Sequence, residues 1–151
     1  MRKKITKIIL LGVVLIMGLS IFAGCGTQQE ISFEKGNASI HASLEQEISI
    51  VIRSLEEWSK SDAANHITLD EKYDNSFFEG KALVIVAFRT ASNVEIGKVE
   101  ISRRQGHLTV NVVGEQGTMA IVDSVILALE VSSGDIEGIR NVRITTNLTK
   151  I

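Results

Sequence analysis

The clearest pattern of apolar and polar positions lies in the middle of the chain, where three apolar runs follow one another closely. The first run, Ala82–Phe88, is apolar at every position, which is typical of a strand covered on both faces. The next two centre on Val99 and Val110 and are separated by the short polar turn Gln105-Gly106. Such local connections predict an antiparallel meander of three strands.

The second and third runs differ from the first because their residues alternate. Val99 and Ile101 share one face of the second predicted strand, and the polar residues between and beside them face the other way. The third run repeats this alternation, with inner residues Leu108, Val110 and Val112 and outer residues His107, Thr109 and Asn111. Both strands are therefore expected to have one face on a core and one face in water.

Before these runs, the sequence predicts one strand and one short helix. Glu47–Arg53 is rich in β-branched residues, which favours a strand. Ser54 and Glu57 match a capping box, in which the serine hydroxyl and the glutamate each accept a backbone amide proton. The helix is expected to end near Lys60, and Ser61–Leu69 is expected to be a loop.

Further elements complete the expected domain. A helical turn within Asp70–Glu79 should bury Phe77 or Phe78, and Met119–Val131 has the pattern of a long strand. A short turn and a last strand around Ile144 follow. Residues 31–151 are thus predicted to form one mainly β domain, an antiparallel sheet or sandwich with one or two short helices.

The N-terminus carries positive residues, then the apolar stretch Ile8–Leu19, then small residues before Cys25. It resembles a bacterial lipoprotein signal peptide, and Phe22–Cys25 resembles its lipobox. The resemblance implies that residues 1–24 form a helical signal peptide that is removed. It also implies that Cys25 carries a lipid and begins a tether over residues 25–30. An uncleaved membrane helix is the alternative, but Ile8–Ala23 is short against the roughly 20 residues that span a bilayer.

Charge and cysteine content argue against some classes of binding partner and against some kinds of covalent or metal site. Four of the 16 basic residues precede Cys25, so the chain from Cys25 onward has 12 basic and 18 acidic residues, a net charge of −6. This balance argues against nucleic acid as a partner. Cys25 is the single cysteine, so its lipidation would leave no thiol for a disulfide or for a metal.

Residues that often carry catalysis or bind metals are present but do not form a known motif. The three histidines have no H-x-x-H spacing and no cysteine partner, which argues against a zinc site; they are His41, His66 and His107. No nucleophile motif, phosphate-binding loop or dinucleotide fingerprint occurs. We therefore predict no catalytic site, no cofactor and no enzyme activity.

An acidic stretch invites comparison with a calcium loop. Asp70, Asp74 and Glu79 are spaced roughly as ligands would be. However, Lys72 occupies the second ligand position, and Asn75 stands where the turn requires glycine. A solvated acidic loop explains the stretch better, and no metal is expected.

Four basic residues are candidates for a partner-binding surface on the predicted meander. They are Arg89, Lys98, Arg103 and Arg104. On an acidic domain, an outward basic strip would attract an acidic partner. A charged edge that prevents aggregation is the competing explanation.

Three segments of the chain resemble the PrcB-like domain, which is the C-terminal domain of an accessory protein in a protease complex. They are Tyr73–Val84, Gly106–Val110 and Ile136–Val142, with Val99 matching between the first two, and the resemblance extends over about residues 48–146. Members of that family are small exported β-rich domains, often on lipoproteins, and the founding member binds and stabilises a surface protease. The resemblance implies a similar fold and a protein partner.

The expected function is therefore that of a lipoprotein anchored through Cys25 to the outer side of a bacterial membrane. There it would act as a binding or accessory module for another exported protein, with a protease as the partner that the resemblance suggests. Two alternatives stay open at this point. One is a solute-binding lipoprotein, and the other is a small cell-envelope hydrolase whose nucleophile and base meet only in the folded chain.

Overall fold

The computed structural model describes residues 27–91, 93–118 and 122–150, which are mainly β structure, as predicted. Their strands are β1 (Gln29–Ile31), β2 (Glu34–Lys35), β3 (Ala38–Ile40), β4 (Ile48–Ile52), β5 (Ile67–Leu69), β6 (Lys81–Ala91), β7 (Val94–Arg104), β8 (His107–Gln116), β9 (Val122–Ser132) and β10 (Asn141–Lys150). Their helices are α1 (Leu55–Ser59) and the 3-10 helices Asp62–Asn65, Phe77–Glu79 and Ser133–Ile136. None of these helices has the length and apolarity needed to cross a membrane. The predicted signal peptide and Cys25 lie outside the described residues.

Eight strands form two four-stranded sheets that share a core. We call them the open sheet, with the order β1-β7-β8-β10, and the covered sheet, with the order β2-β9-β6-β4. β3 and β5 form a separate antiparallel ribbon. The predicted antiparallel sandwich is confirmed with one exception, because β10 runs parallel to β8 along its whole length.

The predicted meander is correct for β7 and β8 but wrong for β6. β7 and β8 form a hairpin whose two turn residues, Gln105 and Gly106, have φ angles of 48° and 81°. Positive φ at both residues is what a two-residue type I′ hairpin turn requires. β6 instead pairs with β4 and β9 in the covered sheet. The reason is that β6 is apolar on both faces and needs cover on both, whereas alternating strands suit a sheet with one wet face.

The side chains of β6 point alternately into two cores. Val84 and Val86 lie between the two sheets, and Leu83 and Ile85 lie on the other face of the covered sheet, beneath α1 and the β3–β5 ribbon. All four are fully buried. This arrangement confirms the predicted strand that is covered on both faces.

α1 begins with the predicted serine cap. Ser54 Oγ accepts a hydrogen bond from the Glu57 amide at 3.0 Å. The Glu57 carboxylate accepts from the Arg53 amide at 2.6 Å, one residue before the position that a capping box predicts. The helix ends at Ser59, with Lys60 as its C-cap.

The segment after α1 contains more structure than predicted. In place of a continuous loop it forms a 3-10 helix and β5, because Ile67 is buried and pairs with β3. The predicted helical turn is present, but Phe77 and Phe78 are only half-buried. The buried aromatic ring of this region belongs to Tyr73.

The predicted strand Met119–Val131 corresponds to β9. Its first three positions lie outside the described residues, and the described strand begins at Val122. Its inner residues face the core between the sheets, as the alternation predicted; they are Val125, Leu127, Leu129 and Val131.

Candidate functional site

The four basic residues predicted to form one strip lie on three different surfaces. Arg89 is exposed on β6, in the covered sheet. Lys98 and Arg104 are exposed on the open sheet, on the outer side of β7 and six residues apart, a distance of about 20 Å along a strand. Arg103 shares the inner side of β7 with Val99 and Ile101. The structure therefore does not bring the four together.

Arg103 has a structural role that the sequence did not predict. Its guanidinium donates to the backbone oxygen of Asp135 at 2.7 Å and to that of Glu137 at 3.1 Å. These bonds fix the 3-10 helix between β9 and β10 against β7. Charge reversal at Arg103 would disrupt a packed contact as well as a surface charge, so it is not the mild substitution that an exposed residue would allow.

The outer face of the open sheet is polar, and none of the described elements packs against it. Side-chain hydrogen bonds cross its strands. Gln28 Nε2 donates to Ser102 Oγ at 2.8 Å, and Asn111 Nδ2 donates to Glu100 Oε2 at 3.2 Å. Asn147 Nδ2 donates to Asn111 Oδ1 at 3.2 Å. The face is thus a fixed array of amides, hydroxyls and carboxylates.

Lys98 also belongs to this face but is engaged by a neighbour. Its Nζ lies 2.6 Å from Glu100 Oε1. This contact raises the pKa of Lys98 and, together with the bond from Asn111, lowers the pKa of Glu100. Both groups are therefore ionised at neutral pH and largely satisfy each other.

Arg104 lies on the same face, at the end where the β7–β8 turn closes the hairpin. It lines a shallow groove of about 540 Å³ together with His107, Asn141 and Arg143. Glu47 is the acidic residue in the lining. Neither arginine forms a salt bridge within the described residues, so both guanidinium groups are available to an outside anion.

A buried carboxylate, Glu130, forms a second polar cluster on the far side of the covered sheet. Glu130 is 7% exposed and Tyr73 is 3% exposed. The Tyr73 hydroxyl donates to Glu130 Oε1 at 3.1 Å and accepts from the Asn37 amide at 3.0 Å. Lys72 Nζ lies 2.5 Å from Oε1, and Lys81 Nζ lies 3.4 Å from Oε2. The cluster ties the turn between β2 and β3 to β9.

The protonation states of this cluster follow from its geometry. Burial acts to raise the pKa of Glu130, but the hydrogen bonds from Lys72 and Tyr73 and the lysine charge outweigh it, so that pKa lies below its usual value. The bond to Glu130 raises the pKa of Lys72, and burial raises the pKa of Tyr73. Glu130 is therefore a carboxylate with both oxygens occupied, which suits a structural anchor better than proton transfer.

Two of the three histidines are neighbours, because the His41 amide donates to the His66 carbonyl at 2.9 Å across the β3–β5 ribbon. His41 Nδ1 lies 3.0 Å from Thr68 Oγ1, and His107 is exposed on the open sheet. His66 Nδ1 is buried without a hydrogen-bond partner in the described residues. The described part of the chain contains no group of three or more His, Cys, Asp or Glu residues placed to hold a metal ion.

The acidic stretch compared above with a calcium loop uses its carboxylates to form turns. Asp70 Oδ1 accepts from the Lys72 amide at 3.0 Å. Asp74 Oδ1 accepts from the Ser76 hydroxyl at 2.7 Å and from the Phe77 amide at 2.9 Å. These bonds also lower the pKa of Asp74.

Sequence reasoning missed Glu130, although a signal was present. Alternation in β9 placed Leu129 and Val131 on the inner face, so the residue between them had to face outward. Outward residues on a sheet with one wet face are exposed, but this sheet is covered on both. The sign of a buried ion pair was therefore the charged residue Glu130 in β9, a strand that pairs with the all-apolar β6.

Comparison with protein-family models, with curated proteins and with solved structures finds no match to this chain.

Proposed function

We propose that this chain is an exported bacterial lipoprotein, anchored through Cys25, whose β domain is a binding or accessory module for another exported protein. The anchor rests on the positive N-terminus, the apolar stretch and the lipobox pattern Phe22–Cys25. The choice of a protein partner rests on the resemblance to the PrcB-like domain, which suggests a protease.

One observation in the fold supports this function most directly. The covered sheet is packed on both faces, whereas the outer face of the open sheet carries no described element. Its central polar residues Ser102, Thr109 and Asn111 are half-buried by their neighbours, which costs entropy but leaves an ordered polar surface. An ordered, uncovered face of this breadth suits contact with another protein.

The anchor is tested by changing the thiol. Cys25→Ser should abolish fatty-acid labelling and block processing, because the lipid is attached to sulfur and stable anchoring requires two acyl signals. Labelling in cells, followed by electrophoresis, measures both effects. As a matched control, Cys25→Ser combined with Thr27→Cys keeps one thiol but moves it away from the small residues Ala23 and Gly24, and should also stay unlabelled. Labelled, processed Cys25→Ser protein would contradict the anchor.

The binding face is tested by a bulky charge on its edge strand β10, beside Asn111 of β8. Thr145 is exposed on β10 and Thr68 is exposed on β5, at the other side of the domain. Thr145→Arg should reduce cross-linked capture of a protein partner from the cell's own membranes at least tenfold, a loss of about 1.4 kcal/mol or more. Thr68→Arg should leave capture unchanged. Equal capture by both variants would exclude this face, and a tightly held small molecule in place of a protein would favour the solute-binding alternative.

A further inference from the structure

The chain enters the open sheet at the end that carries the β7–β8 turn. β1 runs antiparallel to β7, with Gln29 opposite Arg103, so residues before Gln29 extend toward the level of Gln105. Covalent geometry limits the four residues from Cys25 to Gln29 to a span of about 14 Å. A lipid on Cys25 would therefore keep this end of the domain, which we call the anchor end, close to the headgroups.

The anchor end carries three exposed arginines. Arg104 and Arg143 line the groove described above, and Arg140 immediately precedes the strand that contributes Arg143. The Arg140 amide donates to Gly106 O at 2.9 Å, which holds the two turns of this end together. None of the three forms a salt bridge in the described residues. The acidic residues nearby on this side are Glu47, Asp135 and Glu137.

At the opposite end of the open sheet, two glutamates outnumber one exposed lysine, Lys150 on β10. Glu95 on β7 lies directly across from Glu115 on β8, and both are exposed. Like charges in this position repel each other, so they are not there to stabilise the hairpin. The strands of the open sheet, with Arg140 before β10, thus carry a basic balance where the anchor enters, with Glu47, Asp135 and Glu137 beside it, and an acidic balance at the far end. The domain as a whole has a net charge of −6 from Cys25 onward.

We propose that the anchor end lies on the membrane surface and that Arg104, Arg140 and Arg143 bind the phosphates of anionic lipid headgroups. The proposal rests on the lipid anchor at Cys25. A guanidinium matches two phosphate oxygens at once, and basic residues close to an anionic surface add to the binding of an acyl anchor. The acidic far end is repelled by the same surface. The domain therefore stands upright, with the outer face of the open sheet turned sideways toward a partner.

The experiment uses the lipidated full chain in vesicles with a fluorophore on one introduced cysteine. Because Cys25 is the only native cysteine and the lipid blocks its thiol, the new cysteine is labelled alone. Gln105→Cys reports on the anchor end, and Thr149→Cys, on exposed β10 opposite Glu115, reports on the far end. Gln105 is already a non-glycine residue at positive φ, so cysteine adds no new backbone strain there.

A lipid with a spin-labelled headgroup should quench the label at position 105 and leave the label at position 149 bright. Quenching should be stronger in vesicles of equal parts phosphatidylcholine and phosphatidylglycerol than in phosphatidylcholine alone. The triple variant Arg104→Gln, Arg140→Gln, Arg143→Gln should lose this difference. Each arginine removed should lower the equilibrium constant for contact between the anchor end and the membrane about fivefold. Raised salt should weaken the contact in the same way.

The possible outcomes separate the orientation, the arginine contact and the anchor. Equal quenching at both positions would overturn the upright orientation. Strong quenching at position 105 that is the same in both kinds of vesicle and in the triple variant would overturn the arginine–phosphate contact while leaving the anchor intact. Protein that stays off the vesicles with a reactive Cys25 thiol would overturn the anchor, and this proposal with it.

Discussion

Val84→Asp or Val86→Asp should leave the domain unfolded at neutral pH. Both side chains are fully buried between the two sheets, and their neighbours in that core are apolar. An aspartate there would bury a charge without a partner, which costs about 4 kcal/mol or more, against a total stability of about 5–15 kcal/mol for a typical domain. Circular dichroism of each variant, with thermal and urea melts, measures the loss.

Thr109→Asp is the matched control for these core variants. Thr109 lies on the outer face of β8, directly opposite Arg143 on β10, so a carboxylate there remains hydrated and gains a basic neighbour. Its effect on the free energy of unfolding should stay within about 1 kcal/mol. Asn111→Asp should be somewhat costlier, because it faces the Glu100 carboxylate. Similar losses at the inner and outer positions would show that the faces have been assigned wrongly.

Gly36→Ala should destabilise the domain by about 2–4 kcal/mol. A Cβ atom at this position would lie 1.9 Å from the Tyr73 hydroxyl oxygen and 3.0 Å from Glu130 Oε1. The hydroxyl cannot move aside freely because it is bonded to both Glu130 and the Asn37 amide. The substitution must therefore break buried hydrogen bonds or shift the β2–β3 turn, and thermal melting would show the loss.

A double-mutant cycle with Tyr73→Phe identifies the cause. Tyr73→Phe alone should cost about 1–3 kcal/mol because it removes the hydroxyl bonds. In that background Gly36→Ala should cost about 1–2 kcal/mol less than in the parent, since the oxygen it would meet is gone. Gly80→Ala is the control, because a Cβ there meets nothing within 4 Å. Strictly additive losses at positions 36 and 73 would contradict the proposed clash.

The faces of the strands were predictable from the sequence, but their partners were not. Uninterrupted apolar residues in β6 and alternation in β7 and β8 each predicted burial correctly, because period and burial are both local properties of a strand. Periodicity does not state which sheet a strand joins. The turn between β6 and β7 is so short that a hairpin was the natural prediction, yet the two strands pair in different sheets.

In the candidate site, too, local sequence patterns did not show which residues contact each other. Composition could identify basic residues such as Arg103 and Arg104, but both were predicted to lie on one outward strip, whereas the structure places them on opposite sides of β7. The sequence could not show that Asp135 and Glu137, 32 and 34 residues later, present their carbonyl groups to Arg103. Nor could it pair Tyr73 with Glu130, 57 residues away. Such contacts depend on how the two sheets are arranged.

The order in which the strands pair has a consequence for the export that we propose. β1, at the start of the domain, closes one edge of the open sheet by pairing with residues 101–103, and β10 reaches β8 only after the chain has passed through the covered sheet as β9. Both pairings close long loops, which slows folding. A chain that crosses the membrane N-terminus first could therefore not complete the open sheet until its last strand had emerged. Its inner residues would stay exposed to water until then. During that interval it would be open to aggregation or to a chaperone.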